Sequence, residues 1–94
     1  MEEGKRTKYF RLERLVRGFS NHRRIEILGL LNNKPELSVI DISNELHLNF
    51  KTASEHIRRL AIAGLILKRS DGNSIRHKLS PLGLTILKFL RTLE

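Results

Sequence analysis

Four histidines and one Ser-x-His pair are the residues of this 94-residue chain best suited to bond-making chemistry. They are His22, His47, His56 and His77, with Ser54 two places before His56. Zinc needs ligands that converge, and no two of these histidines stand at HxxxH or HxH spacing. Each also falls in a different predicted element. Ser54 and His56, at i,i+2 on a helix, point apart and form no dyad. The absence of cysteine excludes disulfides, thiolate metal sites and thiol nucleophiles. There is no Gly-rich phosphate loop and no pair of carboxylates on one face. The chain is therefore not expected to be an enzyme, nor to need a metal or cofactor.

Cationic side chains carry the remaining chemistry. Eighteen Lys and Arg against ten Asp and Glu give a net charge of +8. Small domains usually carry less than this for solubility alone, so attraction to a polyanion is expected: DNA, RNA or an anionic lipid. The excess is uneven. Residues 1–36 hold nine basic and five acidic side chains, residues 37–63 three of each, and residues 64–94 six and two. The opening MEEGKRTKYF lacks the apolar core of a signal peptide, and no stretch is apolar enough to span a bilayer. A cytoplasmic chain without a membrane partner is expected.

The neutral middle contains NFKTASEHIRRL, residues 49–60. At 100° per residue, Phe50, Ala53, Ile57, Leu60 and Ala61 share one arc. Lys51, Thr52, Glu55, Arg58 and Arg59 lie roughly opposite, with Ser54 and His56 on the flanks. Taken alone, this is a solvated helix face with Lys51–Glu55 and Glu55–Arg58 pairs. Its neighbours decide whether it does more.

The spacing of Leu12, Leu15, Val16 and Phe19 predicts a first helix over 6–18. Ser20 can cap a second, NHRRIEILGLLNN, with Ile25, Leu28 and Leu31 on its buried side, and Pro35 forbids continuation. Ser38 with Asp41 resembles a capping box for a short third helix that buries Val39, Ile42 and Leu46 and stops at His47. Asn49 is the expected N-cap of the next helix, which runs to Ala63, and Gly64 ends it. The period then drops to two. LILKRS and IRHKLS flank Asp71-Gly72-Asn73, which predicts a hairpin. Ser80-Pro81 opens a last helix, LGLTILKFLRTLE. The fold class is mainly α with one small β-hairpin, in the order ααααββα, as a single domain over residues 1–94. Two short amphipathic helices joined by a tight turn form a helix-turn-helix, and the basic hairpin after them forms a wing.

DISNELHLNFKTASEHIRRLAIAGLI resembles the winged helix-turn-helix regulators of the ArsR class, with MarR-like regulators as near neighbours. The pieces that carry the resemblance are Ser54, His56, Ile57, Leu60 and the AGLI of 63–66. HKLSPLGLTIL is similar to the family's exit from the wing. The resemblance covers about residues 15–90 and implies DNA binding as a dimer. His47 stands where the family usually has Gly; His is among the residues enriched at positive φ, so the turn is expected to survive. Ala53 replaces a frequent Val, and His77 stands where an aromatic often does. The family's cysteine sensor would fall at 36–43, where Ser38 and Ile40 stand. Its Asp-x-His site with a second His is missing from 81–94. The resemblance thus implies the fold and DNA binding but no metal sensing.

A helix read in the major groove contacts base edges with its N-terminal part. Lys51, Thr52 and Glu55 are expected to read bases, Arg or Lys gripping guanine and Glu accepting from cytosine. Ser54, Arg58 and Arg59 suit phosphates, His56 bonds backbone or phosphate, and Asn49 completes the recognition set. In the wing, Lys68, Arg69, Asn73, Ser74, Arg76 and Lys78 are expected beside the minor groove. Charge that keeps an edge hairpin from aggregating is an alternative use of the same residues. His77 is expected packed beneath the wing, and Ile62 where the helix meets the wing.

Leu82, Leu84, Ile86, Leu87, Phe89, Leu90 and Leu93 sweep more than half of the last helix, whereas one core contact covers roughly a third. Phe10 is likewise expected opposite Leu12, Val16 and Phe19. A homodimer through Phe10, Leu84, Leu87 and Leu90 is therefore expected, presenting reader helices about 34 Å apart to a pseudo-palindromic site. The favoured function is a sequence-specific regulator of transcription on double-stranded DNA, acting as a repressor. Alternatives are a winged helix binding RNA or protein, or a sequence-blind nucleoid protein. The basic segment from Lys5 to Arg24 either clamps DNA backbone or serves solubility.

Overall fold

The computed structural model describes residues 3–94. Its elements are α1 (Glu3–Phe19), α2 (His22–Asn33), α3 (Val39–Leu46), α4 (Phe50–Ile62), β1 (Ile66–Asp71), β2 (Ser74–Leu79) and α5 (Pro81–Arg91). This is the predicted ααααββα winged helix-turn-helix.

Local side-chain chemistry sets the boundaries. The Ser38–Asp41 capping box is complete: Ser38 Oγ accepts from Asp41 N at 3.2 Å, and Asp41 Oδ2 from Ser38 N at 3.1 Å. Ser80 Oγ accepts from Gly83 N at 2.9 Å and donates to the Gly64 carbonyl at 2.6 Å, with Pro81 in the first turn behind it. The N-cap of α2 is Asn21, whose side chain accepts from Arg23 N and Arg24 N at 2.9 and 3.2 Å. Ser20 was expected there, but its N–H bonds the Val16 carbonyl at 2.9 Å and closes α1 instead. Arg24 Nη1 then donates to the Arg17 and Gly18 carbonyls at 3.3 and 3.2 Å. It satisfies carbonyls that α1 leaves open and places a cation at the helix's negative end.

Each strand has the expected six residues but is shifted by one toward the turn. Asp71 pairs with Ser74, which leaves Gly72-Asn73 as a two-residue loop. Gly72 has φ 62° and Asn73 is not at positive φ, the pattern of a II′ turn. Beyond the hairpin, Leu37 forms an isolated bridge to His77. Leu37 belongs to the α2–α3 connection, so β2 is partly flanked on its outer edge.

The core gathers around α4. Ala53, Ile57 and Leu60 are sealed against Ile27, Leu28 and Leu31 of α2, Ile42 of α3, Phe19, Leu65, Ile66 and Leu87. Ile27 takes the central place expected of Ile25, which is only half-buried. The reason is that α2 packs on α4, α5 and β2 together, so its buried face is broad. Leu87 corrects another expectation: it is 4% exposed and belongs to this core, not to an outer face of α5.

Leu12 and Val16, expected to face inward, are 47% and 49% exposed. α1 meets the body mainly on α4. Contact is made at its C-terminal end, where a Cβ on Gly18 would collide with the Ala63 Cβ. Ile62 lies away from the wing. It lines an open groove of about 490 Å³ with Arg11, Arg14, Arg17 and Leu82.

Gly83 seats α5 on the strand entrance: a Cβ there would run into the Leu65 carbonyl oxygen. Gly83→Ala is expected to cost about 2 kcal/mol and to lower the midpoint of thermal unfolding by about 10 °C. A melt followed by circular dichroism checks this, and an unchanged midpoint would mean that the contact is slack.

Candidate nucleic-acid interface

The angle between α3 and α4 is set in one turn. His47 adopts the left-handed region, φ 54° and ψ 44°, as its position required. Leu48 N donates to the Ser43 carbonyl at 2.9 Å, and Ser43 Oγ donates to the Leu48 carbonyl at 2.6 Å. These two bonds close the end of α3 on both sides. Ser43 is buried; nothing in its local spacing distinguishes it from the other small polar residues of α3. Asn49 Oδ1 accepts from Lys51 N and Thr52 N at 2.8 and 3.3 Å, as an N-cap should.

The structure brings the expected reading residues to one surface. Lys51, Thr52, Glu55, Arg58 and Arg59 are exposed, and Ser54 and His56 are half-buried at the flanks. Phe50 shares the apolar azimuth but is 55% exposed, because the first residue of α4 lies beyond the edge of the core.

Charges on this face are already engaged. Arg58 Nε and Nη2 donate to Glu55 Oε2 and Oε1 at 3.0 and 2.7 Å. Arg59 Nε donates to Glu55 Oε1 at 3.1 Å. The expected Glu55–Arg58 pair is thus present and bidentate, whereas Arg59 replaces Lys51 as the second partner. The hydrogen bonds from Arg58 and then Arg59 pull the Glu55 carboxyl down to about 2. Lys51 makes no ion pair among the described residues. Burial, and then the positive charge of Arg24, holds His56 below the usual imidazole range.

The wing residues divide between two faces. Arg69 pairs with Arg76 and Leu67 with Lys78 across the strands, while Lys68 pairs with His77 and Ser70 with Ile75. Lys68, Ser70 and Ile75 line a groove of about 390 Å³ with Val39, Ser54 and Arg58, so this side of the wing and α4 form one surface. Arg69, Arg76 and Lys78 lie on the other side. There Arg69 Nη2 and Nε donate to Glu36 Oε2 at 2.8 and 3.2 Å. Arg76 Nη1 reaches Asp41 Oδ2 and the Glu36 carbonyl at 3.4 Å, and its Nε reaches Asp71 Oδ2 at 3.3 Å. Asn73 is exposed at the tip and Ser74 half-buried.

His77 lies beneath the wing, 1% exposed. Its Nδ1 is 2.8 Å from the Leu37 carbonyl, which also accepts from His77 N at 2.9 Å. A carbonyl only accepts, so Nδ1 carries the hydrogen. Burial lowers its pKa, outweighing the Leu37 hydrogen bond. Among the described residues, no three His, Asp or Glu side chains are grouped to hold a metal ion. No helix among them is long and apolar enough to cross a membrane.

A histidine whose folded pKa is depressed favours the neutral form, so the unfolded chain binds the proton first. His77 and His56 both carry this sign. Stability is therefore expected to fall as pH drops below about 6.5, the unfolded value, and to be flat above it on this account. Urea midpoints at pH 7.5 and 5.5 should differ less in His77→Gln, which keeps a donor for Leu37. An equal difference in both proteins would remove His77 from this role.

The bacterial regulatory protein arsR family matches residues 21–68, which span α2 to the first half of β1. The transcriptional activator HlyU of Vibrio cholerae is 33% identical over 66 residues, 70% of this chain and 60% of that protein. The chain thus spans about 60% of the length of this curated relative. The structure of reduced HlyU from the same organism superposes with a TM-score of 0.81 at 26% identity, covering 98% of this chain and 97% of that one. A homodimeric winged helix-turn-helix DNA-binding domain from Mycobacterium bovis, a possible ArsR-family transcriptional regulator, gives 0.84 at 25% identity over 99% and 85% of the two chains. NolR from Sinorhizobium fredii, at 22% identity, shares the fold with a TM-score of 0.89 over 99% and 93%.

Proposed function

Because this chain belongs to the bacterial arsR family of regulatory proteins, we propose that it is a sequence-specific, double-stranded DNA-binding regulator of transcription. It binds a pseudo-palindromic site as a homodimer and represses by occupying promoter DNA. The observation that carries this reading is α4 itself. Its apolar edge is sealed in the core, and its polar face stands exposed between the turn at His47 and a basic wing. The family is one of regulators, not of enzymes.

In this reading Lys51 and Thr52, at the start of α4, meet base edges in the major groove. Glu55 accepts from an exposed cytosine amine where one is present. Asn49, Ser54, His56, Arg58 and Arg59 position the helix on phosphates. Lys68, Asn73 and Ser74 follow from the groove-facing side and tip of the wing, with Arg69, Arg76 and Lys78 beside them. The neutral middle of the chain supplies discrimination, and the basic ends supply most of the affinity.

What supports a dimer is apolar surface left open on the terminal helices. Tyr9, Leu12 and Val16 form a stripe on α1, Leu82 and Phe89 one on α5, and Leu93 is exposed just beyond that helix. These residues recur at three-, four- and seven-residue intervals, the spacing of a single helix face. Leu90 is half-buried beside the α5 stripe, whereas Leu84 is half-buried on the opposite side of α5, where it lines a groove with Leu31, Pro35 and Leu67 and so leaves the expected dimer face. Phe10 is exposed but on a different side of α1 from the stripe. The relative from Mycobacterium bovis is described as homodimeric. A two-fold dimer places two copies of α4 about one helical turn of DNA apart.

Selection of bound duplexes from a random pool is expected to return an inverted repeat. On that site, Lys51→Ala with Thr52→Ala should cost about 1–3 kcal/mol for each base edge no longer met, and should relax the preference at those positions. Unchanged affinity would remove these two residues from base reading. Expression of a reporter carrying the site is expected to fall when the protein is supplied. The Vibrio relative is described as an activator, and a rise in expression would replace repression by activation here. Phe89→Glu should shift the protein to a monomer in sedimentation and lower its affinity for the repeat roughly tenfold or more. A monomeric unmodified chain would overturn the dimer.

A further inference from the structure

The arginines of α4 and of the wing are not free in the unbound protein. Arg58 and Arg59 share the Glu55 carboxylate at 2.7 and 3.1 Å. Arg69 is held by Glu36 at 2.8 Å, and Arg76 lies between Asp41 and Asp71 at 3.4 and 3.3 Å. Four arginines that face a DNA backbone in the proposed complex are thus each matched to a carboxylate of their own chain. Lys51, Lys68 and Lys78 have no such partner among the described residues.

Glu36 is the more telling member of this set. It lies outside the helix-turn-helix and the wing, in the α2–α3 connection, with φ 68°. A non-glycine residue held in the left-handed region is strained, and glycine would relieve that strain. Glu36 instead ties the α2–α3 connection to both strands of the wing. Its N–H bonds the His77 carbonyl at 2.8 Å, its own carbonyl accepts from Arg76, and its carboxylate grips Arg69.

Resting on the DNA-binding reading above, we propose that Glu36 and Glu55 are specificity-determining residues that act by occupying the phosphate-binding arginines. A phosphate must displace a carboxylate before it gains Arg58, Arg59 or Arg69. On an arbitrary duplex the exchange trades one charge-assisted pair for another and yields little. On the correct site, base contacts from the start of α4 hold the helix in the groove. The arginines are then exchanged onto phosphates whose positions are fixed, and a cytosine amine can take up Glu55. The carboxylates therefore suppress sequence-blind binding more than they weaken the specific complex.

The test uses Glu36→Gln and Glu55→Gln in the full chain, with Glu13→Gln as a control. Glu13 pairs with Arg17 on α1, so its substitution removes the same charge away from the reading surface. Each protein is titrated against the selected repeat and a scrambled duplex of equal length at several salt concentrations. Each released phosphate contact is worth about eightfold near 0.1 M salt and about 0.9 in the slope of log affinity against log salt, so one per protomer is worth roughly 60-fold and about 1.8 in a dimer.

Glu36→Gln and Glu55→Gln are each expected to raise the dimer's affinity for the scrambled duplex roughly 60-fold, with a salt slope steeper by about 1.8. The ratio of repeat to scrambled affinity is expected to fall, and Glu13→Gln to leave that ratio unchanged. Unchanged scrambled binding, an unchanged ratio, or an equal response in Glu13→Gln would overturn the proposal while leaving the DNA-binding reading intact. Failure of the unmodified chain to bind any duplex would overturn both. If Glu36→Gln fails to fold by circular dichroism, Glu36→Asn, whose side chain suits the left-handed region, carries the same prediction.

Discussion

The seating of α4 governs everything this molecule presents to a polyanion. Its Ala53-Ile57-Leu60 edge is fully enclosed, and α1, α2, α3 and β1 all pack on the helix. Burying such an edge contributes about 1.5–3 kcal/mol per large side chain, and it leaves one rotation about the helix axis available. That rotation turns Lys51, Thr52, Glu55, Arg58 and Arg59 outward. The turn at His47, closed by the Ser43 carbonyl and the Ser43 hydroxyl, fixes the remaining tilt. A reading surface is the consequence of a closed core and a two-bond turn.

The wing is positioned by a different device. Its packing on the body is thin beyond Ile66, His77 and Leu79, and hydrogen bonds carry the rest. Leu37 bridges the edge of β2, His77 anchors both its backbone and its ring to one carbonyl, and Glu36 and Asp41 hold the two strand arginines. Exposed ion pairs of this kind contribute little stability individually. On the proposed DNA-binding reading their effect is directional: they decide which cations of a +8 chain stand ready for a phosphate and which must first be released.

The sequence was most legible where one residue type has one use. Ser38–Asp41, Asn49, Ser80-Pro81 and the positive φ at His47 follow from cap and turn chemistry, and so does the order of elements. The two faces of α4 follow from its period. Legibility failed where tertiary packing chooses among equivalent residues. Leu87, Leu84 and Leu90 read as an outer face from periodicity, yet α5 turns Leu87 into the core and leaves Phe89 outside. Leu12 and Val16 read as core residues, but only the C-terminal end of α1 docks. Glu36 was invisible, because a partner 33 residues away gives it its role. Arg69 and Arg76 were legible as wing cations but not as paired ones, for the same reason.

The central claim is that two copies of α4 read successive major grooves of one DNA site. Hydroxyl-radical footprinting of the protein on its selected duplex tests this most directly. Two protected patches related by a dyad, with centres about one helical turn apart, are the predicted result. Continuous protection with no dyad, moving freely as the sequence is changed, would contradict it.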